Sequence, residues 1–216
     1  TNMLSDYAAI KNGSYGKLMK AYYAKQDAEK LSGKGDTSQK LTLMKTSADS
    51  LKKSADALND SSLWEKKKIK KKDEKTGEEI EVEDYDWDKI TKAVKSFVED
   101  YNDVVKEAGE SNTKDVLRNA SWMTGMTDKN SNMLAKIGIT IGKGNKLELD
   151  EDALKQADIS SLKTVFTGYN SFVSKISQKA TGISNAANRA SATYTNNGTY
   201  SKTDSSLTSS KIDKEV

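Results

Sequence analysis

The sequence contains no cysteine, no histidine and no proline. Without cysteine or histidine, the chain cannot form a Ser-His-Asp triad, a Cys-His dyad or the usual zinc site with nitrogen and sulfur ligands. Disulfide bonds and thiol redox chemistry are excluded for the same reason. The absence of proline permits long helices without interruption. We therefore expect a helical protein that is not an enzyme, with no catalytic residues, no metal and no cofactor.

Apolar residues are also scarce, at 35% of the chain, while charged residues make up 31%. A compact sphere needs more apolar residues than this, whereas a rod of a few helices buries only one stripe of each helix. The formal net charge of +3 is too small to indicate nucleic acid or an acidic membrane as the partner. No stretch approaches the roughly 20 apolar residues of a membrane span. The expected partners are other protein subunits, and no small-molecule substrate is indicated.

Three segments repeat apolar residues at the alternating three- and four-residue spacing of a coiled coil. Asp36, with Gln39 three residues later, is predicted to cap the first segment through a capping box. In the third segment, a second four-residue step from Ile176 to Ala180 is predicted to relax the supercoil locally. These seams predict three long helices in an antiparallel rod. The seam residues are Leu41, Met44, Ala48, Leu51, Ala55 and Leu58; Trp87, Ile90, Val94, Phe97, Tyr101, Val104 and Ala108; and Leu162, Val165, Tyr169, Phe172, Ile176, Ala180, Ile183, Ala187 and Ala190.

Two β-hairpins are predicted between the helices. Residues 64–84 place a lysine run before Gly77 and an alternating Glu-Ile-Glu-Val-Glu run after it, so the lysine arm is predicted to pair with the glutamate arm. Residues 137–149 predict a second hairpin, and Asp150 after it is predicted to cap a short helix. The fold class is therefore mainly α: an elongated antiparallel helical bundle or coiled coil with two small β-hairpins.

The pattern divides the chain into three regions. Residues 1–35 predict an N-terminal helical segment, and residues 36–190 predict a helical stalk that includes both hairpins. Residues 191–216 form a Ser/Thr-rich tail without periodicity, for which a flexible segment and a segment that orders against a partner are both open. The given chain opens at Thr1 without a recognisable signal peptide, so we expect native residues ahead of it.

The acidic residues Asp84, Asp86 and Asp88 invite a calcium-loop interpretation. An EF-hand loop needs glycine at its sixth position and glutamate at its twelfth, where this chain has Lys89 and Lys95. Acidic side chains at the positive N-terminal end of a helix are the better account.

Two lysine-containing segments invite an anion-binding interpretation. The loop 142–146 lacks the spacing and the Lys-Ser/Thr ending of a phosphate-binding loop, so a hairpin turn is favoured. The lysine run 66–72 could contact nucleic acid or anionic lipid, but the acidic run that follows favours a self-paired hairpin.

Several aromatic and apolar residues are candidates for partner contact. The tyrosines and the tryptophan among them are predicted to be core or bundle-cap residues, with exposure as an assembly surface as the alternative. The candidate contacts are Tyr15, Tyr22, Tyr23, Trp64, Ile80 and Val82.

Three further stretches carry a family resemblance. Residues 97–105 contain a Tyr-Asn-Asp signature in a helix, and residues 134–154 contain an Ile-Gly-Ile-Thr segment, a turn and a Leu-Glu-Leu-Asp segment that leads into a helix. Residues 165–168 precede the last long helix. Together, over roughly residues 86–190, they resemble the C-terminal region of the flagellar hook-associated protein 2 family, the filament-capping proteins.

The resemblance implies a structural role. Members of the family are exported through the flagellar apparatus, form a helical stalk from their terminal segments and self-associate. They also carry large β-rich head domains, for which we expect this chain to have no room beyond the hairpin 64–84 at its tip. The expected function is therefore a structural protein of a flagellar filament- or hook-associated or secreted surface assembly, extracellular, whose exposed tip contacts neighbours or a host surface. The alternative is a cytosolic helical binding module, either an export chaperone or a coiled-coil adaptor.

Overall fold

The computed structural model describes residues 35–72 and 77–193. Over these ranges the chain forms seven α-helices and two antiparallel two-stranded sheets, which confirms the mainly α prediction with two small hairpins. The elements, in chain order, are α1 (Ser38–Asn59), a 3-10 helix (Ser61–Trp64), β1 (Lys67–Lys72), β2 (Glu79–Asp84), α2 (Trp87–Gly109), α3 (Lys114–Lys129), α4 (Ser131–Ala135), β3 (Ile139–Ile141), a 3-10 turn (Lys143–Asn145), β4 (Leu147–Leu149), α5 (Glu151–Gln156), α6 (Ile159–Phe166) and α7 (Phe172–Thr193).

The core is built from the predicted seams of the first two long helices. All six seam residues of α1 are buried. In α2 every seam residue except the half-buried Trp87 is buried, and Val98 and Val105 widen the buried stripe. Because these residues recur at helical spacing, each helix has one apolar face, and the faces meet in a single core.

Helices α1 and α7 lie antiparallel and are held in register by two matched polar contacts. Ser184 Oγ donates to Asp49 Oδ1 at 2.6 Å, and Ser177 Oγ donates to Asp56 Oδ1 at 2.7 Å. The two contacts are seven residues apart on both helices. Seven residues are one heptad, or about two helical turns, so both contacts lie on the same side of each helix.

Each of these aspartates also forms an ion pair within α1. Lys45 Nζ lies 2.5 Å from Asp49 Oδ2, and Lys52 pairs with Asp56 one heptad later. Burial alone raises the pKa of Asp49, but the hydrogen bonds from Lys45 and Ser184 outweigh it and hold that pKa below its usual value. The pKa of Asp56 is lowered in the same way.

The helix α3 also packs antiparallel on α7. Arg189 near the end of α7 lies 3.6 Å from Asp115 near the start of α3. We call the end with β1 and β2 the hairpin end, and the opposite end, with the start of α1 and the end of α7, the terminal end. Residue 35 and residue 193 therefore both lie at the terminal end, away from the charged hairpin.

The predicted capping box at the start of α1 is wrong. The cap is Thr37, whose hydroxyl accepts from Lys40 N at 3.3 Å. The Asp36 carboxylate instead crosses to the loop between α2 and α3, where it accepts hydrogen bonds from Ser111, Asn112 and Thr113. Four donors in one loop satisfy the carboxylate better than the single backbone N–H of a cap.

The predicted continuous third helix is also wrong, because it breaks between α6 and α7. Gly168 adopts φ 97°, a conformation that ends a right-handed helix, and its N–H donates to Asn59 Oδ1 at 2.8 Å. Tyr169, expected in the seam, is 83% exposed. The seam residues Leu162 and Val165 before the break are buried, as are the α7 seam residues from Phe172 to Ala187 after it.

The second hairpin and its helix cap are confirmed. Strands β3 and β4 pair antiparallel, and Asp150 accepts from the backbone N–H groups of Asp152 and Ala153. The Asn102 side chain brackets β4, since its Nδ2 donates to Leu147 O at 2.9 Å and its Oδ1 accepts from Leu147 N at 2.7 Å. The amide thus completes the outer edge of this small strand and fixes the hairpin to α2.

Candidate assembly surface at the hairpin end

The first hairpin has the predicted pairing of lysines with acidic residues. Strands β1 and β2 are antiparallel, and Lys68, Lys70 and Lys72 lie directly opposite Glu83, Glu81 and Glu79 respectively. Residues 73–76 of the turn lie outside the described ranges, and Gly77 has φ 72°. Because successive side chains of a strand point to opposite faces, these six charged residues share one face of the hairpin, which we call the charged face.

The other face carries the apolar residues of the hairpin. Ile69 lies opposite Val82, and both are half-buried. Ile80 is 40% exposed on the same face. An exposed isoleucine beside a half-buried cross-strand pair leaves an apolar strip at the surface of this end.

The ion pairs of the charged face contribute little to folding. Lys70 Nζ and Glu79 Oε2 are 3.5 Å apart, and their side chains are 69% and 62% exposed. Exposed pairs of this kind are worth about 0.2–1 kcal/mol. A two-stranded ribbon is marginal by itself, so its position depends on its base.

Two aromatic residues anchor the base of the hairpin on the bundle. Trp64 is 1% exposed, stacks on Phe166 with ring centroids 5.5 Å apart and donates from Nε1 to Leu58 O at 2.8 Å. Tyr85 is flanked by Lys66 and Lys163, whose Nζ atoms lie 5.7 and 5.9 Å from its ring centroid. These contacts therefore fix the base of the hairpin to the bundle.

The loop between α6 and α7 adds an exposed aromatic at the same end. Tyr169 follows Gly168, whose contact with Asn59 places the loop beside the end of α1. Its side chain is the most exposed of the large hydrophobic residues in the described ranges. Sequence reasoning missed it because the seam spacing counted Tyr169 as a core residue, although the adjacent Gly168 was a signal of a break.

The predicted contact residues are thus distributed among three places. Ile80 and Val82 lie on the apolar face of the hairpin, whereas Trp64 is buried inside its own chain, which agrees with the core interpretation rather than with partner contact. The calls on Tyr15, Tyr22 and Tyr23 fall outside the described residues. A second exposed aromatic that was not predicted, Trp122 on α3, is 58% exposed, with Lys179 Nζ 5.5 Å from its ring centroid.

A shallow groove of about 380 Å³ runs between α1 and α2. The residues that line it include the small Ser54 and Ala57 and the basic Lys53 and Lys92. Burial raises the pKa of Asp100 in this groove and nearby Asp103 and Glu99 raise it further, while a hydrogen bond with Ser54 partly opposes them. A single carboxylate among lysines and small residues does not form an acid–base pair.

No site for a metal ion or a membrane span is present in residues 35–72 and 77–193. No three acidic side chains in these ranges converge closely enough to hold a metal ion. None of the helices there combines the length and the apolar character that crossing a membrane requires.

Comparison with known proteins gives one match. No curated protein and no solved structure matches the chain. Residues 111–215 match the family model described as Flagellar hook-associated protein 2 C-terminus. The matched range begins later than the expected residue 86 and includes most of the predicted tail. It contains α3, the second hairpin bracketed by Asn102, and α7. For this part of the chain, the match confirms the predicted resemblance to the C-terminal region of the flagellar hook-associated protein 2 family.

Proposed function

We propose that the protein is a structural subunit of a flagellar filament- or hook-associated assembly outside the cell. The observation that carries the proposal is the family match over residues 111–215. In this role the chain acts through contacts with other protein subunits and performs no chemical reaction. The division into a segment 1–35, a stalk 36–190 and a tail 191–216 is part of the same proposal.

The geometry of the bundle supports this role. Residues 35 and 193, at the two limits of the described body, both lie at the terminal end. The charged hairpin and Tyr169 lie at the hairpin end. A body of this design can be held by its outer segments at one end and present a contact surface at the other.

The candidate contacts divide between the two ends in this proposal. Ile80 and Val82 on the apolar face of the hairpin contact a neighbouring subunit or a surface, and Tyr169 is exposed at the same end. Tyr15, Tyr22 and Tyr23 belong to the proposed segment 1–35, and all three lie outside the described residues. Trp64 supports the hairpin from inside the chain.

Fractionation of the native cells tests the proposal. Flagella are sheared from the cells, and the protein is quantified by immunoblot in the sheared fraction, the cell-surface wash and the cytosol, with a cytosolic enzyme as the marker of lysis. We expect the protein with the sheared flagella and not with the marker. Recovery in the cytosol alone would overturn the proposal.

One observation favours the second function, a helical adaptor. Trp122 of α3 is exposed, and Lys179 of α7 lies over its ring. Exposed tryptophans are frequent anchors of partner contacts. An adaptor would be a stable monomer or dimer that binds one partner, whereas a filament-associated subunit forms larger oligomers. Size-exclusion chromatography with light scattering over a range of concentrations separates these outcomes.

A further inference from the structure

We propose that β2 of one copy of the chain pairs edge to edge with β1 of a second copy, glutamate strand against lysine strand, so that copies join head to tail. The inference deepens the self-assembly proposed above and rests on it. The partner is a second copy because one chain carries both halves of the complementary pair.

The first step is that both strands have an edge available. Among the described residues, the sheet contains only β1 and β2, and neither strand makes an extensive contact with a helix. Each strand therefore has one paired edge and one edge that faces outward. An outward edge presents backbone N–H and C=O groups that can pair with another strand.

The second step is the charge of the two edges. The strand β1 has the sequence KKIKKK, and β2 has the sequence EIEVED. On the charged face, Lys68, Lys70 and Lys72 and their three glutamate partners are all exposed. Pairing of β1 with another β1 would place lysines opposite lysines, and pairing of β2 with another β2 would place acidic residues opposite acidic residues. Both arrangements are unfavourable, because like charges directly opposite destabilise a ladder.

The third step is the direction of the strands. The β1 and β2 strands of one hairpin are antiparallel. A second hairpin placed beside the first in the same orientation sets its β1 antiparallel to the β2 already present. The combined sheet then alternates lysine and glutamate strands and continues the intramolecular pattern across the subunit boundary.

The consequence is a heterologous interface. After two copies have joined, the pair still has one free lysine edge on one copy and one free glutamate edge on the other, so the contact repeats without ending at a dimer. Such interfaces close into rings or continue as open assemblies. Ile80, Val82 and Ile69 of each hairpin then recur on the opposite face of the combined sheet.

The competing account is that the charges only protect the edges. Charged side chains on edge strands commonly prevent unwanted pairing. A protective function is served by charge of one sign on both strands, which repels every neighbouring copy. Opposite signs on the two strands repel like edges and attract unlike ones, and this asymmetry favours pairing.

The first experiment exchanges the charges of the two strands. The exchanged variant keeps every lysine–glutamate pair inside its own hairpin and also remains complementary to further copies of itself. Against the wild-type chain, however, the head-to-tail contact of β1 with β2 places charges of the same sign opposite each other. The variant combines Lys68→Glu, Lys70→Glu and Lys72→Glu with Glu79→Lys, Glu81→Lys and Glu83→Lys.

Retention on a tagged chain measures the selectivity. The tagged wild-type chain is mixed with an untagged wild-type or an untagged exchanged chain, and the retained untagged protein is quantified. From three repulsive pairs we expect about tenfold less retention of the exchanged chain. We also expect the tagged exchanged chain to retain its own kind as well as wild type retains wild type. Equal retention of both chains by wild type, or no retention of wild type by wild type, would overturn the proposal.

A second experiment keeps the wild-type charges nearly intact and uses the absence of cysteine. The full-length Lys70→Cys and Glu81→Cys chains are prepared separately, mixed and oxidised. Head-to-tail pairing predicts more mixed disulfide dimer than the two same-type dimers combined, since random oxidation of equal concentrations would make these amounts equal. Same-type dimers in equal or greater amount, or cross-linking no faster than for an exposed Lys114→Cys control at the terminal end, would overturn the proposal.

The two proposals fail separately. Free mixing of wild-type and exchanged chains would remove the edge pairing and leave the flagellar location untouched. Recovery of the native protein only in the cytosol would remove the flagellar role and leave the selectivity of the purified chains as measured.

Discussion

The Asp36 carboxylate is predicted to contribute strongly to the stability of the terminal end of the bundle. It is 9% exposed and accepts hydrogen bonds from Ser111 Oγ at 2.7 Å, Asn112 N at 2.9 Å, Thr113 N at 2.9 Å and Thr113 Oγ1 at 2.7 Å. These contacts join the start of α1 to the loop between α2 and α3, across 75 to 77 positions of sequence. Asp36→Ala removes all of them and leaves the donors in place.

The size of the loss follows from the number and the burial of these bonds. A hydrogen bond to a charged group contributes about 1.5–3 kcal/mol, so four independent bonds would sum to about 6 kcal/mol or more. Asn112 and Thr113 are half-buried, and water can replace part of their lost bonding. We therefore expect Asp36→Ala to lower the free energy of unfolding by about 3 kcal/mol.

Urea unfolding followed by far-UV circular dichroism measures this change. The matched control is Asp150→Ala, which removes an exposed aspartate that caps α5 through the backbone N–H groups of Asp152 and Ala153. Loss of an ordinary cap costs about 1 kcal/mol. If Asp36→Ala cost no more than this control, Asp36 would be only a surface residue near a helix start, and the account of the terminal end would be refuted.

Three further comparisons test the described fold. Trp64→Ala empties a buried site and is expected to lower the free energy of unfolding by about 4 kcal/mol, whereas Trp122→Ala, at a side chain 58% exposed, should cost less than about 1 kcal/mol by the same urea measurement. Gly138→Ala would bring a Cβ within 2.6 Å of a backbone oxygen at φ 79°, so we expect it to lower the melting temperature much more than Gly144→Ala, which meets open space at φ 73°. Asp100→Asn should stabilise the fold at neutral pH, because burial raises the pKa of that carboxyl and disfavours its charged form, and the gain should vanish as the pH falls below about 4, where both folded and unfolded Asp100 are protonated, as pH-dependent unfolding curves will show.

Each comparison has a result that contradicts it. Equal losses for the two tryptophan variants would mean that the stacked position at the base of the hairpin is not a core position. Equal effects of the two glycine variants would show that strain alone, and not the close backbone approach, decides the cost. A stabilisation by the Asp100 variant that persisted at acid pH would have a cause other than charge.

The seams of α1 and α2 could be predicted because helical spacing reports directly which face is buried. A residue such as Leu51 or Val94 recurs on one face of the helix, and that face must leave water. The pairing of the lysine and glutamate arms could be predicted for a similar reason, since strand alternation and opposite charge are both local properties.

The role of Asp36 could not be predicted from its neighbours. Its local pattern with Gln39 is that of a capping box. The donors that actually bind it lie more than 70 positions away, and no local pattern shows that the loop after α2 returns to the start of α1. Long-range packing therefore determines that the carboxylate accepts from this loop and not from the backbone of the first turn of α1.

The break in the third helix shows the opposite limit. The apolar residues before and after Gly168 keep nearly the same helical phase, so the seam continues through a loop that is not helical. Spacing then assigned Tyr169 to the core, although the side chain is exposed. The apolar strip of the candidate surface, with Ile80 and Val82, was predicted from strand alternation, but Tyr169 and Trp122 required the three-dimensional arrangement.

Immunogold electron microscopy of intact cells tests the central claim most directly. An epitope inserted after Gly77, in the turn of the charged hairpin, reports where the hairpin end of the native protein lies. The account predicts gold on the flagella of unpermeabilised cells, at the hook or along or at the tip of the filament. Gold that is absent from flagella and appears only inside permeabilised cells would contradict it.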